Sequence, residues 1–117
     1  MRTKSSGAED DRYLVLKSDK NITCLKRQLL FKPIINNVEV FEYTADFAYV
    51  ENGNKIIEEY KGHEFQRHDF RLRMRICSAM YPDLIFRIVK AKGVDTQYKA
   101  GKVFSRKPRK PGRPKLC

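Results

Sequence analysis

Asp46, Glu59 and Lys61 are the residues of this chain whose types and spacing can do chemistry. They lie at the two ends of DFAYVENGNKIIEEYK, residues 46–61, on either side of Asn52-Gly53. Asn-Gly between apolar-rich runs is the strongest short-range signal for a tight hairpin. If the loop is two residues long, the numbers of facing residues add to 105 and Asp46 lies across from Glu59. Facing Cβ atoms are about 4.5–5.5 Å apart, and like charges there repel. Side chains alternate faces along a strand. Lys61 therefore shares the face of Glu59, and Glu58 takes the other. A divalent cation would turn this repulsion into affinity, because Mg²⁺ accepts one or two carboxylates, backbone oxygen and several waters. Such an ion generates hydroxide near neutral pH and neutralises charge on phosphorus. A neighbouring ammonium can orient the attacking water or stabilise the charge of the transition state. The same residues could equally form a solvated patch in which Lys61 neutralises the acids. One bulge would also turn one carboxylate away from the other.

The elements that must position these residues can be read from periodicity. Residues 1–7 would be a loose arm. Residues 9–17, EDDRYLVLK, suit a short helix, with Ser6 and Glu9 spaced as a capping box and Tyr13, Leu14 and Leu16 facing inward. Three strand-like runs follow: NITCLKRQLLFKPII, VEVFEYTADFAYV and KIIEEYK, punctuated by Pro33 and Asn36-Asn37. Asp69 could cap a second helix from Phe70 to about Met80, stopped by Pro82. Phe70, Met74, Cys77 and Met80 recur at helical spacing and would bury one face. LIFRIV, residues 84–89, reads as a final buried strand. From about Lys92 the periodicity fades and Gly, Pro, Lys and Arg accumulate. The expected fold is α+β (α/β): helix, three-stranded antiparallel meander, helix, strand. Residues 1–91 would form the domain and residues 92–117 a disordered basic tail.

Composition bounds the partners. A chain of 117 residues, 41% hydrophobic, can build one modest core. No apolar run reaches the roughly 20 residues of a membrane-spanning helix, and MRTKSSGAEDD lacks the apolar stretch of a secretory signal. Cys24, Cys77 and Cys117 are odd in number and widely spaced, against a disulfide framework or a CxxC zinc site. A cytoplasmic setting follows. The net charge of +11 is uneven: residues 101–117 carry seven basic residues and no acid. A basic tail on a mildly basic body suggests a polyanion as partner.

The string YTADF (43–47), a hairpin, then IEEYKG (57–62) resembles the core of the PD-(D/E)XK nucleases. More closely, the chain is similar to the small phage-encoded endonucleases of that superfamily, related to Holliday-junction resolvases. Those have a helix with a Glu, a strand with a Gln, the Asp, and then D/E-x-K. Glu9 in AEDDRYLVL, Gln28 in LKRQLLFKPI, Asp46 in TADF, and Glu59 with Lys61 in EEYKG occupy those places. HDFRLRMRICSAMYPDLIFRIV resembles the second helix and last strand, so the likeness spans roughly residues 5–90. Ala45 stands where the name-giving motif has Pro. The resemblance implies that Asp46 and Glu59 hold Mg²⁺ or Mn²⁺, with the Ile57 or Tyr60 carbonyl as a further oxygen, and that Lys61 is the catalytic lysine. Glu9 would be a third carboxylate, with the cap at Ser6 as its rival role. Gln28 would position substrate or water, or be an ordinary polar strand residue.

Arg67, Arg71 and Arg75 repeat every four residues with Arg73 beside them, a basic stripe that could track phosphates. Such arginines could also simply be solvated. His63 and His68 match no usual zinc spacing and suit the surface. The tail SRKPRKPGRPKLC carries Arg109, Lys110 and Arg113 around a partial AT-hook, with Pro111 before Gly112. The expected function is a metal-dependent DNA endonuclease, acting on duplex or branched DNA in phage metabolism as a homodimer and not at a membrane. A non-enzymatic DNA-binding regulator is the alternative. An RNA-binding sheet rich in Tyr and Phe ranks behind both.

Overall fold

A computed structural model describes residues 7–62 and 68–106. The elements are α1 (Gly7–Ser18), β1 (Ile22–Phe31), β2 (Ile34–Ile35), β3 (Val38–Glu39), β4 (Tyr43–Glu51), β5 (Asn54–Gly62), α2 (His68–Met80), β6 (Leu84–Lys90), β7 (Gly93–Lys99) and β8 (Lys102–Arg106). Six strands form one mixed sheet in the order β1-β4-β5-β6-β7-β8, and β2 pairs only with β3. All neighbours are antiparallel except β5 and β6, which run parallel. Parallel strands cannot be joined by a tight turn, and α2 lies in their connection.

Each face of the sheet carries one helix. Met74 and Cys77 of α2 pack with Phe31, Ala48, Ile57, Phe86, Ile88 and Tyr98. Leu16 of α1 packs with Phe47, Tyr49, Ile56 and Ile85 on the other face. The expected apolar stripe on α2 holds at Met74 and Cys77, which are fully buried, and at Phe70, packed against the core, whereas Met80 is only partly buried. On α1 the expectation fails for Leu14, which is 60% exposed. The helix instead turns Arg12 toward the sheet. The helix α2 is described from His68, which places Asp69 within it rather than before it.

The three expected strands correspond to β1, β4 and β5, in adjacent antiparallel order. The uninterrupted meander does not hold. The run from Val38 to Val50 is broken after Glu39, and its start pairs back with Ile34 and Ile35 as a separate hairpin. Asn36 and Asn37, both with positive φ (53° and 68°), form its turn, the geometry of the tight hairpins that match strand twist. Ile34, Ile35, Val38 and Val40 remain exposed there.

The larger correction concerns residues 92–106, expected to leave the domain as tail. They form β7 and β8, so β6 is not the last strand and the sheet runs on past residue 91. The alternation in VDTQYK is carried by Thr96 and Tyr98, buried at 4% and 5% exposure, with charged and amide residues between. So polar a strand can form at a sheet margin, where one face suffices for burial. Residues 107–117, the rest of the expected tail, lie outside the described residues, as does Ser6 of the expected capping box.

The β7–β8 turn is Ala100-Gly101, with φ of 53° and 82°. A Cβ placed on Gly101 would stand 3.1 Å from the Ala79 Cβ of α2. Gly101→Ala should lower stability by about 1–3 kcal/mol in denaturant unfolding, through forced positive φ and crowding of α2. Ala100→Gly should be neutral or stabilising. Wild-type stability in the first variant would mean that β8 does not close onto α2.

Candidate active site

The hairpin of β4 and β5 has the register that Asn52-Gly53 implies, from Glu51 opposite Asn54 to Phe47 opposite Glu58. Asn52 and Gly53 both take positive φ, 51° and 87°. The backbone ladder stops there, one pair before Asp46 and Glu59. The Tyr60 N–H donates to Asp46 Oδ2 at 2.8 Å. A carboxylate thus receives a strand N–H where the two strands cease to pair, and β5 continues against β6 alone, with Glu59 beside Ile88.

Lys61 falls where the β5–β6 pairing shifts between Tyr60 and Gly62. A bulge frees one residue from the ladder and re-aims its side chain. The Lys61 Nζ sits 3.2 Å from Glu59 Oε2 and 4.5 Å from the centre of the Phe70 ring, at the start of α2. The second Glu59 oxygen, Oε1, accepts the Tyr43 hydroxyl at 2.9 Å. Both oxygens of Glu59 are therefore oriented, whereas Asp46 Oδ1 accepts no hydrogen bond from the described residues.

Two further predicted residues approach from β1 and α1. Gln28 lies between the pairs Arg27–Phe47 and Leu29–Ala45, the position across from Asp46. It has φ 58°. A non-glycine residue there inside a strand is uncommon, and such strain gathers at functional sites. The sheet also changes face at this point. Leu29, Phe31, Tyr43 and Ala45 pack with the α2 cluster. Arg27 stacks over Phe47, which packs with the α1 cluster. Even spacing along a regular strand would keep them together. The Gln28 amide donates to Glu9 Oε2 at 3.2 Å, and Arg27 reaches Glu9 at 3.5 Å and Asp10 at 3.1 Å. Glu9 thus points to β1.

Electrostatics ties these acids into one group. The Asp46 carboxyl is pushed up to about 7, first by burial and then by the charge of Glu59. The Tyr60 N–H and Lys61 oppose the rise, and the charge of Glu9 adds to it. Burial also raises Glu59, against the opposing pull of Lys61 and Tyr43, and Glu9 again adds to the rise. The donor chemistry fits a hard cation: two carboxylates that repel each other when ionised, one oxygen of Asp46 accepting no hydrogen bond from the described residues. Mg²⁺ needs no more from a protein, since waters complete its shell. Among the described residues no group of three or more His, Cys, Asp or Glu side chains could hold a metal ion.

The arginine stripe is largely committed within the molecule. Arg71 pairs with Asp95 at 3.3 Å and reaches Thr96. The Arg73 guanidinium donates to the Glu42 carbonyl, and that of Arg75 to the Gly101 carbonyl at 2.7 Å. The acidic partner of Arg71, Asp95, sits on β7, a segment expected to be tail. Arg67, Arg109, Lys110, Arg113 and His63 lie outside the described residues, as does the His68 side chain.

Sequence reasoning missed the support around the site. Glu58, correctly placed on the opposite face, is fully buried and accepts both Arg12 Nε and Arg12 Nη2, at 2.7 and 2.8 Å. The Tyr49 hydroxyl also donates to it. Burial alone would lower the Arg12 guanidinium, but Glu58 outweighs it and holds it above its usual value. The pairing spans 46 positions, and no local pattern announces such a partner. Comparison with protein-family models, with curated proteins and with solved structures found no match for this chain.

The raised carboxyl of Asp46 has a stability consequence with a definite sign. Between about pH 4 and pH 7 the folded chain retains a proton that the unfolded chain has released, so stability from this group falls as pH rises through that window. Asp46→Asn removes the charge and keeps an oxygen for the Tyr60 N–H. At pH 8 in EDTA the variant should be more stable by on the order of 2 kcal/mol, and the difference should vanish near pH 4. Urea unfolding at both pH values measures this. Equal stabilities at pH 8 would show that Asp46 is not held at a cost.

Proposed function

We propose that this chain is a metal-dependent DNA endonuclease of the PD-(D/E)XK type that hydrolyses phosphodiester bonds. The observation that carries the reading is the meeting of Asp46, Glu59 and Lys61 where β4 and β5 part, with Glu9 and Gln28 arriving from α1 and β1. The order Glu, Gln, Asp, Glu-x-Lys along the chain supports the reading, since it matches the family pattern.

Asp46 and Glu59 would hold Mg²⁺ or Mn²⁺, with the Tyr60 or Ile57 carbonyl as a further oxygen. When bound, the ion supplies a water of lowered pKa and neutralises charge on the phosphate. Tyr43 orients one oxygen of Glu59 and Lys61 the other. The Lys61 ammonium, resting on the Phe70 ring, can donate to a phosphate oxygen as negative charge builds there. Gln28 holds Glu9 toward the pair. The uneven charge of +11 favours a polyanionic substrate. Branched DNA, cleavage in phage metabolism and a cytoplasmic setting follow from the family likeness. Among the described residues no helix is long and apolar enough to cross a membrane.

Supercoiled plasmid and a four-way junction, each with Mg²⁺, Mn²⁺ or EDTA, test the activity. Cleavage should need the metal, and Asp46→Asn and Lys61→Ala should each lower it by at least about 100-fold. DNA binding without metal-dependent cleavage would favour the alternative, a non-enzymatic regulator. Cleavage unchanged by both substitutions would remove the site.

The working unit we propose is a homodimer, since one small domain spans little duplex. The β2–β3 hairpin offers it a surface, because a two-stranded ribbon cannot bury Ile34, Ile35 and Val38 by itself. Sedimentation should give a dimer for the full chain and a monomer for Ile35→Asp with Val38→Asp. A wild-type monomer at tens of micromolar would reject this part of the proposal.

A further inference from the structure

The helix α1 has no apolar stripe that would settle which way it faces. Tyr13, Leu14, Val15 and Leu16 are consecutive, and consecutive helical residues are turned roughly 100° apart. They spread around the whole helix. In the fold Leu16 is 2% exposed and Tyr13 packs against Phe47, while Leu14 and Val15 are 60% and 56% exposed. A rotated helix would offer Leu14 and Val15 to the sheet instead, two apolar side chains in place of two. Apolar contact holds α1 on the sheet but does not select its rotation.

A polar contact can select it. The guanidinium of Arg12 grips Glu58 through two parallel hydrogen bonds of 2.7 and 2.8 Å. Such a fork is specific in direction as well as attractive. Glu58 is itself fixed: it is fully buried on β5 and also receives the Tyr49 hydroxyl. That hydroxyl accepts from Arg87 at 3.2 Å, and Arg87 is held by Glu51 and Gln97. Buried ion pairs of this kind add little net stability over apolar residues of equal size, whereas they can specify one arrangement among several. Both partners adjoin the candidate site. Arg12 is one turn beyond Glu9 on α1, and Glu58 precedes Glu59 on β5.

We propose that the Arg12–Glu58 fork is a positioning device that sets the rotation of α1 and so aims Glu9 at Asp46 and Glu59. The inference rests on the endonuclease reading for its purpose and on the geometry of α1 for its mechanism. Neither residue touches substrate or metal. Both act through Glu9, which β1 then receives through Gln28 and Arg27.

The test replaces the fork with an apolar pair, Arg12→Met with Glu58→Leu, in the full chain. The exchange leaves the net charge unchanged. Two readouts separate the claims. The first needs no metal: nuclear Overhauser contacts in EDTA. The variant should remain folded, with weaker contacts from Tyr13 to Phe47 and new ones from Leu14 or Val15 to Tyr49, Ile56 or Ile85. An α1 that keeps its native contacts in the folded variant would overturn the proposal. Should that variant not fold, Arg12→Lys keeps the charge without the fork and is read in the same way.

The second readout is Mn²⁺ affinity by calorimetry. The fork variant and Glu9→Gln should each bind about 10-fold more weakly than wild type, and the triple variant no more weakly than Glu9→Gln alone. Losses that multiply would overturn the action through Glu9. Absence of Mn²⁺ binding by the unsubstituted chain would reject the endonuclease reading, and the contacts of α1 would still decide the fork.

Discussion

Two carboxylates, Glu59 buried and Asp46 partly so, repel each other, and the surrounding structure is arranged around that repulsion. Asp46 and Glu59 are both raised by burial, and the charge of Glu59 adds to the rise at Asp46. Left alone, such a pair would be relieved by strands that slide or side chains that turn outward. Here the escape routes are closed by specific contacts. The Tyr60 N–H holds Asp46, and Tyr43 and Lys61 hold the two oxygens of Glu59. The ladder between β4 and β5 ends at Phe47 and Glu58, one pair before the acids, while the rest of the hairpin stays zipped. The bulge that frees Lys61 serves the same end from the β6 side.

The two faces of the sheet contribute differently. On the α2 face the core is apolar: Met74, Cys77, Phe86 and Ile88 are fully buried. The arginines of α2 reach back to β7, the β7–β8 turn and the segment before β4, and so tie the helix to both halves of the sheet. On the α1 face the apolar cluster is smaller, and a chain of charged and hydroxyl groups runs through it from Arg12 to Glu51. Such a network tolerates little rearrangement, because a half-satisfied buried charge is costly. A polar mounting of α1 would suit the positioning of Glu9 proposed above. The strained backbone of Gln28 fits the same pattern, since a regular strand would not pass from one face of the sheet to the other there.

Legibility followed the range of the interaction. The tight turn at Asn52-Gly53 was readable because positive φ is a local demand, and it carried the register of β4 and β5 with it. The buried face of α2 was readable because Met74 and Cys77 lie on one side of any helix. Leu14 was misjudged because four consecutive large apolar side chains give no preferred side. β7 and β8 were misjudged because only Thr96 and Tyr98 are buried in β7, and the composition of a one-sided marginal strand approaches that of a solvated segment. The partner of Arg71 was hidden for the same reason: once β7 was read as tail, Asp95 could not be foreseen beside it.

The sequence by itself determined the local geometry and the order of the chemical groups: two helices, a hairpin with Asp46 and Glu59 at its open end, and a strongly basic balance. These depend on propensity, turn chemistry and a period of two or 3.6, all of which act within a few residues. Only the tertiary structure decided that the hairpin stops pairing before the two acids, that Glu9 turns to Gln28, and that Arg12 grips Glu58. Those outcomes depend on which surfaces meet across the sheet. Residues 46 positions apart become neighbours only when the whole chain has closed.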